Sequence, residues 1–448
     1  MDASRRALLL ASVAALQACD SESEPETSST ATQGANTDGN IGIQAAAALY
    51  LPYNKTVTKQ QLLVDIDTKD SNFYYELVPY LERYQRTDRA IEYFLVHLGH
   101  GNHFCKEYFD NWITYQLANT FSLAVGSELS TVSNSIVLTH VSEIRNAVSK
   151  DQSIKSFMLS YFLSEMFWAR FRSPEDNGRE VLEVYLGKFQ DDLVPKAAKI
   201  LQNYAFIENT GSLQKGLNEN TEPQFIDGQW LTTPTELYQY VVNHPDFLPH
   251  VYAHVVTQLY GAADVEVIAS LKRQNIDSFR ELYKQALLHP NMEKIQRPKY
   301  PEEILLPVIQ TGQYVLRRDG FSTFLDLMDQ VGSKPMLSKL ERQKPDWNAL
   351  NIGNLSSFLE TLFSTEAGNF SSSWTYGYGQ ATYVALSQLA EQPADLLAKA
   401  HSLLWREPFT YDASFHTLIA QQDSTKDKVT AALRIAAMNY THYQFSAE

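Results

Sequence analysis

Between about residue 74 and residue 442 the large apolar side chains recur three and four positions apart, and few runs alternate with the two-residue rhythm of a strand. Spacing of three and four gathers side chains on one face of a helix. That feature sets the expected fold class: mainly α, a large multi-helix single domain with few or no strands. Ser153 is placed to cap a helix carrying Ile154, Phe157, Met158, Tyr161, Phe162, Met166 and Phe167. A second helix is expected from near Asp192 to Ile207, with Pro195 in its first turn, where a missing N–H costs little, and Gly211 beyond its end. Further helices are expected at 74–98, 234–260, 277–288, 301–316, 355–364, 379–404 and 427–442. Breaks rich in Asn, Pro, Gly or charge fall at 208–232 and near 290–300. The stretch Ser371–Gln380 reads as a loop or short hairpin. The body is expected over residues 43–448, with lobes at 43–292 and 293–448.

The N-terminus has the layout of a secretory signal. Arg5 and Arg6 precede a short apolar run, and small residues lead to Cys19. The run is too short for a permanent helix across a bilayer of about 30 Å. Leu16-Gln17-Ala18-Cys19 resembles the lipobox of bacterial lipoproteins, in which the cysteine is acylated and the chain is cut before it. An ordinary signal peptide ending in cysteine is the other reading. Ser4-Arg5-Arg6-Ala7-Leu8-Leu9 is similar to a twin-arginine export signal, although paired arginines are also normal in a signal n-region. The expected plan is a signal peptide at 1–18, then a lipidated Cys19 and a tether to residue 42. The segment from Asp20 to Asn40 is rich in Ser, Thr, Glu and Gly and holds no large apolar residue. Such a composition cannot bury enough surface to offset its ordering entropy. The expected location is the bacterial cell envelope, on its periplasmic or surface side, with the membrane as partner through a palmitate-type anchor.

Net charge is −15, which argues against nucleic acid, because phosphate binding needs a basic surface. With Cys19 lipidated, Cys105 is left alone, so no internal disulfide is expected. No CxxCH occurs, which excludes a c-type haem. The sequence also lacks a GxSxG elbow, a P-loop and a GxGxxG after a strand.

Four residue patterns could carry chemistry. His97, His100, His103 and Cys105 fall within nine residues. On a continuous helix the three imidazoles would spread over about 120°, and Gly99 and Gly101 weaken any helix there. The preceding helix is therefore expected to end near Gly99, leaving His100 and His103 in a turn. Imidazoles so placed are metal ligands, acid–base groups, or partners of a helix C-terminus. Asp176, Glu180 and Glu183 form one stripe on a second helix, opposite Val181, Leu182, Tyr185 and Leu186. This is either a solvated acidic face or a carboxylate row offset by Arg179 (through Glu183 or Glu175) or by a divalent cation. His250 and His254 share a face at zinc-pair spacing but lack the metalloprotease glutamate, so one polar and one packed histidine is the simpler reading. Trp374, Tyr376 and Tyr378 offer a sugar-stacking surface, although core packing explains most aromatic rings.

Several segments in order are similar to the bacterial envelope family called domain of unknown function 1800. His100-Gly101-Asn102-His103-Phe104 resembles its Trp-His-Asn-His-Phe-like segment. Glu175-Asp176-Asn177-Gly178-Arg179-Glu180-Val-Leu-Glu183-Val resembles its Asn-Glu-Asn-x-Ala-Arg-Glu-x-x-Glu-Leu helix, one residue shorter. Asp192-Leu193 with Ala197, His244-Pro245, and Lys299-Tyr300-Pro301-Glu302 resemble its later motifs. The likeness runs over about residues 75–310. Gly101 stands where the family's first histidine is, and the region after residue 200 and the C-terminal Trp-rich region depart from the pattern. The resemblance implies a large, mostly helical exported protein. It also implies an exported partner from a second, sulfatase-like family numbered 1501. It supplies no reaction.

Combined, residues and resemblance set one expectation and its rivals. His100 and His103 meet Glu180 and Glu183 in a polar site that binds a divalent metal and activates a water, with Arg179 orienting a carboxylate. Otherwise the chain is a non-catalytic assembly or binding lipoprotein, in which Arg179–Glu183 locks two helices. In a third reading it is a glycan binder using Trp374, Tyr376 and Tyr378.

Overall fold

The structure is a computed structural model. It describes residues 40–41, 43–51, 57–69, 94–95, 98, 104–120, 134–188, 192–207, 209–312, 318–335, 342, 344–364, 380–405, 409–439 and 444–445. The chain is mainly helical, with only small two-stranded sheets. In order it runs α1 (Ile43–Ala48), α2 (Lys59–Asp67), α3 (Lys106–Ala118), α4 (Asn134–Ser149), α5 (Ile154–Phe162), α6 (Glu165–Arg170), α7 (Pro174–Leu186) and α8 (Leu193–Leu201). Two hairpins follow, β1 (Tyr204–Ile207) with β2 (Ser212–Lys215), and β3 (Gln224–Ile226) with β4 (Gln229–Leu231). Next come α9 (Pro234–Asn243), α10 (Phe247–Tyr260), α11 (Val265–Gln274), α12 (Phe279–Leu288) and the short β5 (Arg297–Pro298). The last elements are α13 (Pro301–Gly312), α14 (Arg318–Gln330), α15 (Ala349–Ser364), α16 (Gln380–Ser387), α17 (Pro393–Leu404), α18 (Ala413–Ala420), α19 (Thr425–Ala437) and β6 (Gln444–Phe445), which pairs with β5.

Three long expected helices are each cut in two. The one beginning at Ile154 breaks at Leu163-Ser164, where Ser164 Oγ accepts the Phe167 N–H and starts α6. The span 234–260 breaks at His244, whose ψ of 140° is the extended conformation that a following proline favours. The span 379–404 breaks before Pro393, which opens α17. The helix expected to reach Ile207 stops at Leu201, and Tyr204–Ile207 pairs instead with Ser212–Lys215. Several of the short helices carry their own start signal. Ser153, Ser164, Ser173, Thr233 and Ser278 all cap with their hydroxyl oxygens, and Thr233 with Glu236 completes a capping box.

The core centres on α3, whose Tyr108, Trp112 and Tyr115 are fully buried. The N-terminal segment is threaded against it. Trp112 Nε1 donates to the Ala48 carbonyl at 2.8 Å, and Tyr108 Oη donates to the Leu49 carbonyl at 2.8 Å. Gln116 Nε2 donates to Tyr50 Oη at 2.9 Å, and Gln310 Nε2 to the Tyr50 carbonyl at 3.0 Å. Helices α7 and α8 pack closely at Gly178, where a Cβ would stand 2.9 Å from Ala197 Cβ. Among the described residues no helix is long and apolar enough to cross a membrane.

Candidate functional site

Helix α7 carries the acidic stripe, and its ends are fixed by local chemistry. Ser173 caps its N-terminus, Pro174 occupies the first turn, and Gly187 ends it with φ 64°. Val181, Leu182, Tyr185 and Leu186 are buried, as the spacing requires. Asn177 is buried with them; it accepts from Tyr238 Oη at 2.8 Å. Asp176, Glu180 and Glu183 lie at the half-buried margin, neither free in water nor enclosed.

The electrostatics single out Glu180. Partial burial pushes its pKa above the usual carboxylate value, and the neighbouring charges of Asp176 and Glu183 push it the same way. Arg170 and Arg179 oppose that rise. Asp176 is also raised by burial, with Arg179 opposing. Arg170 is buried in α6, and its Nη1 donates to Tyr161 Oη at 3.0 Å. Arg179 sits 3.9 Å from Glu175, with 47% and 70% of the two side chains exposed. Of its two candidate partners the structure thus brings Glu175 near, in a solvent-screened contact worth little.

His250 and His254 do share a face of α10, and that face meets the C-terminal end of α7. His254 Nε2 donates to the Val184 carbonyl at 3.1 Å. The His250 ring covers Gly187, where a Cβ would come within 2.3 Å of Nε2, and its Nδ1 lies 2.9 Å from the Asp246 carbonyl. The pair therefore closes a helix end where unpaired carbonyls need donors. His97, His100, His103, Trp374, Tyr376, Tyr378 and Cys19 lie outside the described residues. Cys105 is buried at the start of α3, and burial pushes its thiol up to about 11.

No family model, curated protein or solved structure matches this chain.

Among the described residues no three His, Cys, Asp or Glu side chains stand together as a metal site. The α7 carboxylates do not by themselves fit a metal. A bound ion would need imidazoles from the His100–His103 segment, which lies outside the described residues. What α7 offers is a half-buried negative row that favours a proton or a cation.

Two buried charge clusters were not legible as patterns. Glu302, fully buried at the start of α13, accepts from Arg342 through both oxygens and from Tyr115 Oη at 2.6 Å. Arg297 forks onto Glu303 at 2.8 and 2.5 Å. The Tyr300 ring lies between these guanidinium groups, 5.0 Å from Arg297 and 4.5 Å from Arg342. Farther along α3, Asp110 gathers Arg280, Lys106 at 2.7 Å and Arg145 at 3.5 Å. The only advance signal was Lys299-Tyr300-Pro301-Glu302, one of the segments that carried the resemblance.

Proposed function

We propose that this chain is a lipid-anchored protein of the bacterial cell envelope, a helical body held at a membrane surface by a Ser-, Thr-, Glu- and Gly-rich tether. One observation supports the tethered arrangement most directly. Ile41, at the end of the compositional tether, is already buried, and the carbonyls of Ala48, Leu49 and Tyr50 accept hydrogen bonds from core side chains. A tether of about 20 residues has a root-mean-square span of roughly 25 Å, enough to clear lipid headgroups. The test is Cys19→Ser. The native chain takes up radiolabelled palmitate and sediments with membranes, while the variant loses the label and becomes soluble. A native chain that takes up no label, or a variant that stays on the membrane, overturns the reading.

A second reading concerns the acidic row, and Glu180 favours it. A carboxyl held partly out of water beside two others is relieved by a divalent cation, which His100 and His103 would help to hold. The purified chain would then contain metal, and Glu180→Gln with Glu183→Gln would lose it while the fold persists. Metal-free native protein, with a melting temperature unmoved by chelator, removes this reading. The ordered resemblance to the envelope family supports a second exported protein as partner.

A further inference from the structure

The β3–β4 hairpin turns at Asp227-Gly228, whose φ angles of 45° and 83° suit a tight two-residue turn. Its inner face is anchored by buried Ile226 and Leu231. Its tip is pinned, because Asp227 pairs with Lys188 and accepts from Tyr240 Oη at 2.7 Å, and Lys188 donates to the same hydroxyl at 2.9 Å. The outer face carries a cross-strand aromatic pair. Phe225 lies opposite Trp230, with ring centroids 5.1 Å apart, and the two are 46% and 69% exposed. Exposure of that much ring on a rigid ribbon marks a contact surface.

On the other face, between β4 and α9, lies an open cleft of about 320 Å³ lined by Gln229, Glu236, Gln239, Asn243 and His244 among others. The amides of Gln229, Gln239 and Asn243 make no side-chain hydrogen bond among the described residues. His244 Nδ1 accepts the Asp246 N–H at 3.2 Å, which leaves Nε2 as the ring's donor. Glu236 is held ionised by the Thr232 and Thr233 N–H groups at 2.7 and 3.0 Å. Amides both donate and accept, as sugar hydroxyls do, and aromatic faces stack on the C–H face of a pyranose ring. A carboxylate at the cleft and a net charge of −15 disfavour an anionic ligand.

We propose that this hairpin and α9 form a binding site for a neutral saccharide chain, with one sugar in the amide-lined cleft and another stacked on Trp230 and Phe225. The full chain, in a non-glycosidic detergent, is tested against cello-, malto-, xylo- and chito-oligosaccharides, with alginate as the anionic control. Native protein is expected to bind at least one neutral probe. Trp230→Ala, and Gln239→Ala combined with Asn243→Ala, each weaken it by about tenfold or more with unchanged melting temperature, since all three positions are exposed. The proposal is overturned if no neutral probe binds, if only alginate binds, or if both variants bind as the native chain does. A Trp230-dependent dimer in sedimentation, with no saccharide binding, also overturns it and assigns the aromatic pair to a second copy.

Discussion

Glu302 and Arg342 are each nearly sealed from water, so removing either partner strands a charge in the core. Glu302→Ala is expected to cost about 3–5 kcal/mol, read as a lower urea midpoint, and near-native stability would show that the pair is not buried as described. Glu180 gives a prediction of opposite sign. Its folded pKa is raised, so the native state binds more protons than the unfolded one above the ordinary carboxylate value. Stability from this group is therefore lost as pH rises from the ordinary value through the folded one. Glu180→Gln should melt higher than the native protein at pH 7, and the gap should close toward pH 4; a variant that melts lower at pH 7 would point to a bound cation instead. Legibility at this scale was uneven. The acidic stripe was readable because i and i+4 positions share a helix face. The core pairs were not, because Arg342 meets Glu302 across 40 positions and Arg280 meets Asp110 across 170.

Among the elements, glycine decides two contacts. At Gly178 a larger side chain must push α8 away, so Gly178→Val should cost about 1–3 kcal/mol in a denaturant titration. Gly187→Ala meets both the positive φ and the His250 ring, and should cost a similar amount, about 1–3 kcal/mol. Adding His250→Ala should recover only the steric part, and an additive double mutant would show that the ring does not crowd Gly187. Helical character was legible at α5, α7, α8, α12, α13, α15 and α19, where three-and-four spacing is plain, but α3, α4, α11, α14 and α18 were not among the expected helices, and the one expected at 74–98 lies mostly outside the described residues. Helix length was not legible. Pro245 and Pro393 were in view, yet apolar periodicity continues across both. The strands β1 to β4 are three or four residues long, too short for alternation to register; β2 to β4 occupy a stretch that composition marked only as a break, and β1 falls at the end of an expected helix.

At the scale of the whole molecule, the tether and the body should separate cleanly. Deleting residues 20–39 is expected to leave the melting temperature unchanged, whereas deleting 41–50 should abolish a cooperative transition, since Ile41, Leu49 and Tyr50 are core residues. Equal melting curves for both deletions would show that the N-terminal segment is not part of the core. Composition alone carries the expectation of a signal and tether, whose residues lie outside the described ones. The way residues 41–50 are gripped was not legible, because their partners lie in distant helices. Gln310 reaches back 260 positions to Tyr50, and the strand at Arg297 waits for Phe445. Tyr50 is thus completed only once Gln310 is in place, and Arg297 only once Phe445 is, and loop closure over such distances is slow. These closures are therefore expected to come after the local helices have formed.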